Sequence, residues 1–178
     1  FEIWGEFFND WELLPYESEK LLAKVNNTSI EELNKIIDFE LPKEGKEREK
    51  IVKVRVNQSF FRRSILASYN NTCCITGIRQ PELLIAGHIM PWGIDEKNRL
   101  NPGNGIAINA LHDRAFEAGL ITITTDLKVK VSTIILKSKS QEMINYFHRY
   151  NNQPIILPSR FLPEKQFLEY HNVERFKG

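Results

Sequence analysis

Residues 73–121, CCITGIRQPELLIAGHIMPWGIDEKNRLNPGNGIAINALHDRAFEAGLI, govern the reading of this chain. Residues 83–89 are a short apolar run of the kind that forms a buried strand, stopped by Pro91. Gly93, Asn98, Asn101, Pro102, Gly103 and Asn104 are turn formers and make the next segment a loop. Residues 105–109 read as a second strand and 111–118 as a short helix ended by Gly119. Such a strand–loop–strand–helix unit can bring His88, at the end of the first strand, to the carboxylates of the helix. Asp113 and Glu117 stand four apart and share a helix face. Two carboxylates converging there need a compensating cation, and oxygen ligands suit a hard one such as Mg²⁺ or Mn²⁺. His112 lies about 100° around the helix from Asp113 and can face the core or the strand instead.

Outward from this unit, residues 120–123 and 127–131 alternate around Thr124-Thr125-Asp126 and predict a hairpin. Ser138 and Gln141 form a capping box for a helix to about Tyr150, and Pro163 fits the first turn of a last helix. Upstream, Ser29-Ile30-Glu31-Glu32 is a capping box, with Ile30, Leu33, Ile36 and Ile37 at helical spacing and Pro42 and Gly45 as stops. Residues 43–56 (KEGKEREKIVKVRV) read as a charged joint turning into an alternating, strand-like stretch. Asn57 or Ser59 then caps a helix to about Tyr69 with Phe61, Ile65 and Leu66 inward.

The chain has 178 residues and a formal net charge of +1, with 42% hydrophobic and 26% charged residues. That composition is ordinary for a globular protein and argues against disorder or a collagen-like chain. No apolar run approaches the ~18 residues of a membrane span, so no membrane association is expected. The total charge hides a split: residues 1–42 hold 10 acids and 3 bases (−7), and residues 43–178 hold 21 bases and 13 acids (+8). An uneven distribution hints at a polyanionic partner for the basic part. Cys73 and Cys74 are too few for a disulfide scaffold and, as neighbours, poorly placed to bond each other, which favours a reducing, cytoplasmic setting. The start at Phe1 reads as a fragment of a longer protein.

The motif C-x-x-T-G … A-x-H-I-x-P-W … N-G-I … H-D-x-A-F-x-x-G-L-I, spanning Cys73 to Ile121, resembles the HNH nuclease domain of bacterial restriction endonucleases. The flanks, residues 54–69 and 156–171, resemble those of such proteins as well, so the likeness covers roughly residues 46–178. The resemblance implies an α+β fold with a ββα-metal (His-Me finger) core, flanking helices and a β-hairpin. It divides the chain into an acidic helical segment, 1–45, and a nuclease domain, 46–178.

The same resemblance implies a metal-dependent endonuclease that hydrolyses DNA phosphodiester bonds in a bacterial restriction or defence system. His88 takes the place of the general base and Asn104 that of the residue orienting it. The metal ligands are expected among Asp113, Glu117 and His112, with Mg²⁺ or Mn²⁺ as the ion. Two positions depart from the family pattern. Gly87 stands where many relatives carry an acidic or histidine ligand, and His112 comes one position early. With Cys73-Cys74 and no partner pair, a structural zinc is not expected. Arg55, Arg62, Arg63, Arg79 and Arg114 are the expected contacts to double-stranded DNA. A homodimer is expected because one active site cuts one strand. Trp92, Phe116, Cys73 and Cys74 read as packing residues, and His148 and His171 as core or capping histidines. The rival readings are an HNH-derived module that binds nucleic acid without cutting it, and a toxin-type nuclease acting on RNA.

Overall fold

A computed structural model describes residues 13–34 and 46–178. Ile36, Ile37, Pro42 and Gly45 lie outside the described residues. The chain divides into two units: one takes residues up to Arg63 together with Glu96–Asn101, the other Ser64–Asp95 and Pro102–Gly178.

Among the described residues the first unit is built on α1 (Leu13–Val25), α2 (Ile30–Leu33) and the greater part of α3 (Lys46–Ser68). The Ser29 capping box forms: Glu32 N donates to Ser29 Oγ at 3.0 Å and Ser29 N donates to Glu32 Oε2 at 3.4 Å. The stretch read as a charged joint and a strand, residues 43–56, is helical from Lys46 onward. The apolar residues there fit two periods at once. Val52 and Val56, four apart, are buried beside Tyr16, Ile30 and Ile51, whereas Val54, which alternation would have buried with them, is 38% exposed. Strong helix formers at Lys46, Glu47, Glu49 and Lys50 favour the helical period, and packing selects it. Buried Glu19 accepts a hydrogen bond from Arg63 Nη2 at 2.6 Å and another from Asn34 Nδ2 at 3.3 Å.

The second unit has a mixed α/β fold with two small antiparallel strand pairs and several helices. Ile65, Leu66 and Tyr69 are buried at the end of α3. Asn70 and Asn71, both at φ 50°, turn the chain, as the Asn-Asn pair suggests. β1 (Leu84–His88) and β2 (Gly105–Asn109) pair antiparallel, from Leu84 opposite Asn109 to His88 opposite Gly105. Every residue of β2 is buried, and α4 (Ala110–Glu117) follows at once, packing on both strands and on β3 (Ile121–Ile123). β3 pairs with β4 (Val129–Val131), the hairpin expected from the alternation. Ile106, Ile108, Ile121, Ile123, Phe167 and Leu168 are at most 1% exposed and form its interior.

Short helical pieces complete the unit. α5 (Thr133–Leu136) carries no strong sequence signal. α6 (Gln141–Tyr146) is capped by Ser140, whose Oγ accepts from Met143 N at 3.2 Å, rather than by Ser138. It ends earlier than expected because Phe147 takes φ −130°, and the chain resumes as a 3₁₀ turn, His148–Tyr150. α7 (Lys165–Tyr170) follows Pro163 and runs into a π-helical turn, His171–Arg175.

Candidate active site

The register that sets His88 opposite Gly105 also brings the end of β1 to Asn104. Asn104 is buried, and its amide clasps the main chain just past His88. Met90 N donates to Asn104 Oδ1 at 2.8 Å, and Asn104 Nδ2 donates to Met90 O at 3.1 Å. A third bond, Ile89 N to Asn104 O at 3.0 Å, joins the same two segments. The chain leaving β1 is thereby held at several points. The Trp92 ring meets the His88 ring edge-on at 5.5 Å and gives the imidazole a wall.

α4 lies over the same strands. Its N-cap is Asn109, whose Oδ1 accepts from His112 N at 3.1 Å. This cap places the helix so that Asp113 comes down on β1 at Gly87. A Cβ built at position 87 would stand 2.8 Å from Asp113 Oδ1. A cavity of about 590 Å³ opens here, lined by His88, Trp92, Asp113, Arg114, Glu117 and Arg175 among others. Burial, and after it the charge of Glu117, push the Asp113 carboxyl up to about 6, with Arg114 opposing the shift. Arg114 Nη1 lies 3.4 Å from Glu117 Oε2.

His112 stands apart from this cavity. Its Nε2 donates to Tyr146 O at 2.7 Å, so Nδ1 is the accepting nitrogen and takes Asn109 Nδ2 at 2.9 Å. The ring is 2% exposed, against Phe147 and Tyr150, and burial lowers its pKa. With both nitrogens engaged, His112 acts as a bracket for the start of α4, and the carboxylates one and five positions later carry the cavity face. His148 and His171 likewise donate from Nε2 to main-chain carbonyls, Ile135 O at 3.0 Å and Phe116 O at 3.1 Å.

The arginines separate. Arg114 lines the cavity, and Arg79 is exposed in the same unit. Arg55, Arg62 and Arg63 belong to the first unit, where Arg63 is committed to Glu19.

Arg175 and His171, both lining the cavity, come from the far end of the chain. Nothing local in the sequence ties Arg175, which follows the last helix, to α4. Asn109 did carry a signal, an Asn directly before a helix. Cys73 proves to be more than filling: its Sγ accepts from Asn109 N at 3.3 Å and Thr76 N at 3.4 Å, tying the turn after α3 to the base of α4. Both cysteines are buried free thiols.

Among the described residues, no group of three or more His, Cys, Asp and Glu side chains stands together as a metal site. The two carboxylates at the cavity nonetheless fit a hard divalent cation. Mg²⁺ is commonly bound through one or two carboxylates, with water and substrate phosphate oxygens completing its shell. The side-chain-free strand position at Gly87 leaves room for the Asp113 carboxyl itself.

No described helix is long and apolar enough to cross a membrane. Residues 73–124 match the family of HNH endonucleases. No curated protein matches the chain. Proteins of this family are nucleases that generally use a divalent metal ion and bind nucleic acid. The matched span begins at Cys73, takes in β1, Asn104, β2 and α4, and ends just past β3: residues 73–124 of this chain are an HNH endonuclease family domain.

Proposed function

We propose that this domain, within a nuclease segment of residues 46–178, is a ββα-metal endonuclease that hydrolyses DNA phosphodiester bonds in a cytoplasmic restriction or defence system. The observation that carries the reading is the shared cavity: His88 from the end of β1 and Asp113 and Glu117 from one face of α4 line the same space. His88 accepts the proton of a water molecule as its oxygen attacks the phosphorus, a transfer that histidine performs more often than any other side chain. The bond to the 3′ oxygen breaks, leaving a 5′-phosphate and a 3′-hydroxyl that takes its proton from solvent. Asn104 is a positioning residue, holding the main chain at Met90 and so the direction in which His88 points. Asp113 and Glu117 would hold Mg²⁺ or Mn²⁺, which supplies positive charge to offset that developing on the phosphate. Arg114 faces the substrate phosphates from the same helix, with Arg79, Arg55 and Arg62 as further contacts, Arg63 being held by Glu19, and a homodimer would cut both strands.

Plasmid nicking in Mg²⁺ or Mn²⁺ tests this reading against a His88→Ala control. The expected loss in the control is roughly 10²- to 10⁴-fold. Equal nicking by both proteins would remove His88 from the mechanism, and none by the parent in either metal would favour a binding module. Preferential cleavage of labelled RNA in competition with duplex DNA would overturn the substrate.

A further inference from the structure

The last residues of the chain are held against the end of α4. Gly119 takes φ +73°, and a Cβ there would lie 2.0 Å from Arg175 O, so only glycine lets the tail pass this close. Lys177 N donates to Gly119 O at 2.9 Å, and Phe176 N donates to His171 O at 3.0 Å. His171 anchors the turn from inside: its ring stacks on Phe116 at 3.6 Å, its Nε2 donates to Phe116 O, and its Nδ1 accepts from Thr122 Oγ1 at 2.7 Å. Asn172 adds bonds to Ile123 O at 2.7 Å and Leu168 O at 2.6 Å. The backbone that carries Arg175 is therefore in place before any ligand arrives.

The Arg175 side chain reaches the rim of the His88 cavity, where Nη2 donates to Glu117 O at 2.9 Å. Among the described residues no carboxylate pairs with it, which leaves most of its donors and its full charge for a ligand. A second hollow, of about 180 Å³, adjoins the first and shares Glu117, Ala118 and Arg175 with it. Lys177 and Glu174 complete that hollow. Arg175 and Lys177 thus bring two cations beside the space that His88 and Asp113 line, as a polymer with a phosphate at every step requires, although Glu117 and Glu174 share that hollow.

We infer that the C-terminal tail is part of the nucleic-acid site: Arg175, with Lys177 beside it, grips the backbone phosphate next to the scissile one. The inference rests on the nuclease reading for the identity of the cavity, but it concerns binding and is testable without cleavage. The probe is a short labelled DNA duplex titrated with the full chain carrying His88→Ala, with and without Arg175→Ala, followed by anisotropy from about 50 to about 200 mM salt. Arg175→Ala is expected to weaken binding roughly 5- to 20-fold and to lower the slope of log affinity against log salt by about one, with melting unchanged. Arg175→Lys keeps the slope and recovers part of the affinity, because the charge remains without the planar fork. Identical affinity and slope with and without Arg175→Ala would overturn the inference, as would a parent with no affinity for duplex. Should the parent bind but never nick plasmid, a weakened Arg175→Ala still supports the tail contact while the cleavage mechanism falls. Should the parent nick and Arg175→Ala nick with unchanged KM, the tail contact alone falls.

Discussion

Gly87 and Asp113 meet where β1 passes under α4, and a single added carbon at position 87 would stand 2.8 Å from Asp113 Oδ1. The bare strand position is thus what gives the Asp113 carboxyl its place above β1.

Gly87→Ala tests this relationship. The nearest atom is the end of a short side chain, so the carboxylate swings aside and the backbone stays. Nicking is expected to fall roughly 10- to 100-fold, the usual effect of an ångström-scale misplacement. Stability should change by no more than about 1 kcal/mol. Thermal melting beside a plasmid assay checks both, and full activity in the variant would refute the role given to the gap.

Asp113→Asn probes the electrostatics of the same site. Because burial and Glu117 raise this carboxyl to about 6, the folded protein keeps a proton that the unfolded chain releases near 3.8. Its contribution to stability is therefore present at low pH and declines as pH rises from about 4 through about 6. In chelator at about pH 8 the variant should be more stable than the parent by ~1–2 kcal/mol, with the gap closing near pH 4. Excess Mg²⁺ should raise the melting point of the parent more than that of the variant. Denaturant melts at the two pH values would contradict this by giving one constant difference.

His171 gives the opposite slope. Burial first lowers its pKa to about 4, against an ordinary imidazole's 6.5. The neutral ring's full stabilisation is present above about 6.5 and drains away as pH falls toward 4, where the unfolded chain takes up the proton first. His171→Ala should cost ~2–4 kcal/mol near neutrality through the lost stack and the unpaired Thr122 and Phe116 groups. It should also flatten the acid limb of the stability profile. An unchanged limb would mean that another group sets it.

Gly119→Ala should detach the tail from α4. A Cβ cannot coexist with Arg175 O at its present place, and φ +73° is unfavourable for any L side chain. The expected loss is ~2–4 kcal/mol, with faster exchange of the Lys177 amide than elsewhere in the domain. Protection of that amide equal to the parent's would contradict the close approach.

The elements that sequence reading placed well are those whose signals are local. β2 spans Gly105–Asn109 as read, β1 agrees within a residue or so, and α4 stops at a glycine in the left-handed region. Each depends on an apolar run, a cap or a stop within a few residues. The failure at residues 46–56 has a physical origin too. Val52, Val54 and Val56 satisfy alternation while Ile51, Val52 and Val56 satisfy helical spacing, and the choice is made by Tyr16 and Ile30, far away in sequence. The early end of α6 is of the same kind, since Phe147 is buried and its backbone departs from helical geometry.

By itself the sequence determined the strand–loop–strand–helix order, the motif that marks an HNH domain, and a short set of residues around His88. Those follow from chemistry and spacing along the chain. Tertiary structure decided which members of that set share the cavity. Asp113 and Glu117 face it and His112 does not, because the Asn109 cap and the Tyr146 carbonyl set the rotation of α4. It also explained Gly87 and delivered Arg175, whose approach depends on Gly119 and on the buried His171. A helix's rotation and a tail's path are set by atoms that touch across the fold, and no spacing along the chain encodes them.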